Sequence, residues 1–128
     1  MKRILLDTHV LLWWLIDSPK LGVTTREAIS AAENVVYVSA ASIWEIAIKK
    51  ALGKLRAPDN FDHILEQEGF EELPISAYHA EQAGALPAHH RDPFDRMLVA
   101  QAQAEGLLLY SQDQQVAAYG IRTASPMR

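Results

Sequence analysis

Short runs suited to strands, at Arg3–Leu6, Val35–Val38, Phe70–Leu73 and Leu107–Tyr110, are separated by stretches with helical rhythm. That alternation constrains the fold more than any other feature of the chain. A strand, a helix and a second strand of the same sheet form a crossover in which the strands are parallel. The pattern therefore predicts an α/β domain whose mainly parallel sheet carries helices on both faces. A last strand is expected near Ile121 to Thr123, after a short helix.

The helices are bounded by recognisable signals. Asp92 followed by Pro93 predicts a helix start, because Asp92 can cap and Pro93 suits the first helical position; that helix runs to Glu105 and stops at Gly106. Ser39 predicts a cap for a helix from about Ala40 to Leu52, closed by Gly53, and Ser76 one for a small-residue helix to about Leu86. Thr24 with Glu27 three residues later reads as a capping box opening a helix to about Ala32. Asp59 to Glu68 is a shorter amphipathic helix after the Ala57-Pro58 break. Val10 to Ile16, apolar all round, predicts a helix buried on most sides, or one that offers Trp13 or Trp14 to a partner.

Composition narrows the class. The chain has 128 residues, 49% hydrophobic and 22% charged, which suits one globular domain spanning residues 1–128. Val10 to Ile16 falls far short of the about 20 apolar residues a membrane helix needs. Asp7 and His9 interrupt what would be the apolar part of an export signal, so a cytoplasmic protein is expected. With no cysteine there is no disulfide, thiol nucleophile or thiolate zinc site, and any metal must be held by oxygen or imidazole. A net charge of −4 argues mildly against a plain nucleic-acid-binding module. A local strip of Lys49, Lys50, Lys54 and Arg56, with Arg91 and Arg96 elsewhere, can still meet phosphates, although Lys50 and Lys54 read better as a solvated helix end.

Four acids break the apolar pattern. Asp7 directly follows the first strand and Asp113 follows the Leu107 strand; Glu45 shares a helical face with Ala41, Ile48 and Leu52, and Asp95 with Leu98, Val99 and Ala102. Each has an ordinary explanation. Asp92 and Asp95 suit a helix cap and first turn, and Glu45 suits a surface pair with Lys49 or a capping box with Ser42. In parallel α/β sheets, however, ligands bind at the carboxyl ends of the strands. If the helix before Leu107 begins at that edge, all four carboxylates converge there. Crowded like charges call for a cation. Hard oxygen donors suit magnesium or manganese, and such an ion can activate water against a phosphodiester.

The segments Ile4-Leu5-Leu6-Asp7-Thr8-His9, Ser39-Ala40-Ala41-Ser42-Ile43-Trp44-Glu45, Asp92-Pro93-Phe94-Asp95-Arg96 and Ser111-Gln112-Asp113 resemble, in that order and spacing, the PIN-domain ribonucleases. The likeness covers essentially the whole chain and is greatest to the VapC-type toxins of bacterial toxin–antitoxin pairs. The resemblance implies a three-layer α/β/α sandwich and a magnesium- or manganese-dependent endoribonuclease acting on RNA. It also implies restraint by a cognate antitoxin that places a basic side chain among the acids, in a homodimer or a toxin–antitoxin hetero-oligomer. Position by position, Asp7, Glu45, Asp95 and Asp113 match the family's acids, Ser111 its hydroxyl residue before the last acid, and Asp92 a less specific acid. The uncharged Gln112, Gln114 and Gln115 around Asp113 depart from the expected pattern.

His89 and His90 are read as loop residues or neighbours of the site. Adjacent residues point in different directions, and no second histidine cluster completes an acid–base pair. His9 either touches the site or faces solvent. Among rival folds, a haloacid-dehalogenase-like phosphatase requires an Asp where this chain has His9. A receiver-like domain requires a pair of acids at Asp7 and a lysine beyond Lys54, where there is none. A PIN nuclease of RNA processing without an antitoxin, or a PIN-like fold kept for binding alone, are the remaining alternatives.

Overall fold

The computed structural model describes residues 1–89 and 92–128, so the expectations placed on His90 and Arg91 lie outside the described residues. Five parallel strands, β1 (Arg3–Leu6), β2 (Val35–Ser39), β3 (Glu71–Leu73), β4 (Leu108–Tyr110) and β5 (Thr123–Ala124), form one sheet in the order β3-β2-β1-β4-β5. The helices are α1 (Thr8–Leu15), α2 (Val23–Ser30), α3 (Ala40–Ala51), α4 (Phe61–Glu68), α5 (Ala77–Ala85) and α6 (Pro93–Glu105), with a 3₁₀ helix at Gln114–Tyr119. Among the described residues no helix is long and apolar enough to cross a membrane.

The central strand explains the layering. Ile4, Leu5 and Leu6 are all fully buried, because strand side chains alternate between faces and both faces of β1 are covered. Ile4 and Leu6 enter one core with Val10, Leu11, Ile29, Ile46 and Leu65, contributed by α1 to α4. Leu5 enters the other with Leu98, Val99, Ala102 and Leu109, where α6 covers the opposite face. The expected three-layer α/β/α sandwich is what forms.

Local signals set most helix ends. Asp92 accepts from the backbone N–H groups of Phe94 (2.8 Å) and Asp95 (3.3 Å), Pro93 occupies the first turn, and Gly106 ends α6 in the left-handed region at φ 66°. Ser39 caps α3 through the Ala41 N–H at 3.0 Å. Ser76 caps α5 in a reciprocal box with His79.

Several expectations need correcting. The Thr24 and Glu27 capping box does not form: α2 starts at Val23 behind Gly22, and no side chain caps it. The last residues of the chain take over that task, with the Gly22 N–H donating to the Pro126 carbonyl (2.9 Å) and the Thr24 N–H to the Arg128 carbonyl (2.8 Å). A Cβ at Gly22 would stand 2.0 Å from the Arg128 carbonyl carbon, so the close approach demands glycine. Asp59 pairs with Lys50 instead of opening α4. β5 lies at Thr123–Ala124 because its register is dictated by Leu109 and Tyr110. Of the two readings of α1, core packing is the one that forms: Trp13 is buried, and the half-buried Trp14 packs on Phe70 while its Nε1 donates to Glu68 at 2.7 Å. The large exposed apolar side chains of the described residues include Ile16, Val23, Trp44, Leu52 and Tyr78.

Candidate active site at the carboxyl edge of the sheet

Leu6 is in register with Val38 on one side and Tyr110 on the other, so the next residues, Asp7, Ser39 and Ser111, line up across the carboxyl edge. Asp7 is fixed there twice, its N–H donating to the Tyr110 carbonyl at 3.1 Å and its carboxylate accepting from the Val10 N–H at 2.9 Å as the cap of α1. Only 4% of Asp7 is exposed. Burial pushes its carboxyl pKa up, the Val10 N–H, the Ser111 hydroxyl beside it and the charge of His9 pull it down, and the charge of Glu45 pushes it up again.

Glu45 is equally hidden, one turn inside α3. The Thr8 hydroxyl donates to its Oε1 at 2.7 Å, tying α1 to α3, and the Lys49 ammonium donates to its Oε2 at 2.7 Å. The pairing with Lys49 is thus real, and so is the inward face; the capping box with Ser42 does not form. The Ser42 hydroxyl, buried one turn before Glu45, has no hydrogen-bond partner among the described residues. The hydrogen bond to Glu45 holds the Lys49 pKa above its ordinary value against an opposing effect of burial, and the negative charges of Glu45, Asp92 and Asp95 add to it.

Asp92 and Asp95 act on Lys49 because α6 precedes β4, runs antiparallel to it, and so begins at the edge where the strands end. Trp44 meets Phe94 edge-on, with ring centroids 5.4 Å apart, fixing the start of α6 against α3. Asp113 follows β4; its N–H donates to the Ser111 hydroxyl at 3.0 Å and its carboxylate caps the 3₁₀ helix through the Gln115 N–H at 2.9 Å.

Asp7, Glu45 and Ser111 are therefore neighbours at one edge, the charges of Asp92 and Asp95 are felt at Lys49, and the Asp113 backbone is tied to the Ser111 hydroxyl while its carboxylate is turned to Gln115. His9 is exposed yet close enough for its charge to act on Asp7. His89 packs edge-on against Tyr119 with centroids 4.9 Å apart. Thr8 was not singled out from the sequence, where a threonine after a strand carries no signal of its partner.

Among the described residues no three acids or histidines close into a ready metal cage. The reason is local: Glu45 is turned to Thr8 and Lys49, Asp7 to Val10, and Asp113 to Gln115. The donor chemistry nevertheless fits a hard divalent cation. The edge offers carboxylate and hydroxyl oxygens with no sulfur, and one of those carboxylates, Glu45, already holds an ammonium at 2.7 Å.

A doubly covered parallel sheet with carboxylates gathered at the ends of its central strands defines the class as an α/β protein with an acidic edge site. The PIN domain model matches residues 4–121, and the chain belongs to the PIN-domain family. Ribonuclease VapC22 of Mycobacterium tuberculosis is 29% identical over 119 residues, covering 91% of each chain. The fold is shared with VapBC2 from Rickettsia felis, bound to a DNA fragment from their promoter, at a TM-score of 0.71 and 15% identity over 95% of this chain and 97% of that one. It is shared also with DNA-bound VapBC from Salmonella typhimurium, at a TM-score of 0.68 and 19% identity over 97% and 98% of the two chains.

Proposed function

We propose that the chain is a metal-dependent endoribonuclease and the toxin of a VapBC-type toxin–antitoxin pair, working in the cytoplasm. The observation that carries the chemistry is the pair of buried acids Asp7 and Glu45 at the carboxyl edge, each acting on the other's charge, with the Lys49 ammonium 2.7 Å from Glu45. The family, the ribonuclease named among its relatives and the VapBC assemblies that share its fold support the reading.

In this reading Asp7, Glu45, Asp95 and Asp113 hold a magnesium or manganese ion. Such an ion supplies a water of lowered pKa and stabilises charge on the phosphate in the transition state. The chain's own part is positioning. Asp7 is immobilised by the Val10 N–H, Thr8 pins one oxygen of Glu45, and Ser111 ties the Asp113 loop to the end of β4. The RNA phosphate then meets an edge whose acids are preset, so little reorganisation is needed.

The partner is a cognate antitoxin. Its apolar anchors fall on Trp44 of α3, on Leu52 just past the end of that helix and on Val23 at the start of α2, all exposed. An arginine of the partner suits the acidic edge, since guanidinium pairs bidentately with carboxylate. The test is cleavage of RNA by the purified chain with manganese or magnesium against excess chelator. Cleavage is expected only with metal and is lost in Asp7→Asn; activity that persists in chelator and in that variant overturns the reading.

A further inference from the structure

Lys49 is held differently from an ordinary surface ion pair. Its Nζ lies 2.7 Å from Oε2 of Glu45, whose side chain is only 6% exposed, while the lysine side chain itself is 43% exposed. Oε1 of Glu45 is already taken by the Thr8 hydroxyl at 2.7 Å. Asp92 and Asp95 act on the same ammonium from the neighbouring helix. Both oxygens of this buried acid are thus occupied by donors from the chain, and the charged donor sits on a flexible four-carbon stem with a route to solvent.

We propose that Lys49 is a tethered counter-cation: it fills the cation position of the carboxylate edge when no metal is bound and is expelled towards solvent when a divalent ion enters. The inference rests on the metal-dependent reading above. Without a cation, a buried Glu45 would meet only repulsion from the charges of Asp7, Asp92 and Asp95. The ammonium offsets that repulsion. An entering ion must take Oε2 from it, because an ammonium and a divalent ion a few ångströms apart repel strongly. The divalent ion prevails by drawing on several carboxylates at once, where the ammonium holds one. Lys49 therefore sets the metal concentration at which the site fills, and protects the fold below it.

Manganese binding to the metal-free full chain, followed through the paramagnetic resonance signal of free manganese, tests this directly, together with melting in chelator. Lys49→Met is expected to bind manganese about tenfold more tightly than wild type and to melt at a lower temperature in chelator. Lys49→Arg, which keeps the charge, stays within about twofold of wild type in affinity. Should Lys49→Met fold poorly, Lys49→Gln carries the same expectation, since its amide keeps a donor without the charge. Unchanged or weaker manganese binding in both neutral variants, or unchanged melting in chelator, overturns the counter-cation. A wild-type chain with no saturable manganese site dependent on Asp7 would instead overturn the metal-dependent reading itself.

Discussion

Asp7 caps α1 through the Val10 N–H and is also among the most deeply buried acids, so its oxygen stabilises the helix start while its charge works against folding. Asparagine caps as well as aspartate does. In chelator at neutral pH, Asp7→Asn should therefore melt above wild type, whereas Asp7→Ala also loses a cap worth about 1 kcal/mol. The pH dependence has a definite sign. Because the folded carboxyl titrates above its ordinary 3.8, the folded state binds its proton before the unfolded chain does. This group's contribution therefore improves as the pH falls through the raised pKa towards 3.8, and the advantage of Asp7→Asn shrinks over the same window. Calorimetry of the three proteins across that range checks it; an Asn variant that melts lower at neutral pH would make Asp7 a structural cap alone. The acids were legible in the sequence because each interrupts an apolar face or ends a strand. The part proposed for Lys49 was not, since a Glu45–Lys49 spacing reads the same on any solvated helix, and only the burial of Glu45 distinguishes this one.

Elements whose ends are dictated by their own residues were the ones the sequence located well: Asp92-Pro93 and Gly106 for α6, Ser39 for α3, Ser76 for α5. Errors fell where a distant segment decides. The start of α2 is set by Pro126 and Arg128, and β5 takes its position from β4. Gly22 offers the sharpest test at this scale. Gly22→Ala places a methyl against the Arg128 backbone and should cost about 1–3 kcal/mol in urea unfolding, the usual penalty of overpacking. Gly84→Ala, inside α5 with open space around its Cβ position, should stabilise by about 0.5–1 kcal/mol through helix propensity alone. Equal effects at the two glycines would show that the tail does not press on α2.

For the whole molecule, the proposed inhibition makes metal and antitoxin rivals for one edge. Titrating the antitoxin against the chain should show weaker binding in saturating manganese and in Asp95→Asn; affinity indifferent to both places the partner away from the acids. The strand order carries a further consequence, for timing. The edge draws Asp7 from the beginning of the chain and Ser111 and Asp113 from near its end, and Asp7 is anchored by the Tyr110 carbonyl. Pairings between segments this far apart in sequence are slow to form, so the edge is completed only once β4 has docked on β1. Until then Asp7 lacks the Tyr110 carbonyl that anchors it and Ser111 beside it. The site is thus a product of the whole fold and not of any one stretch of the chain.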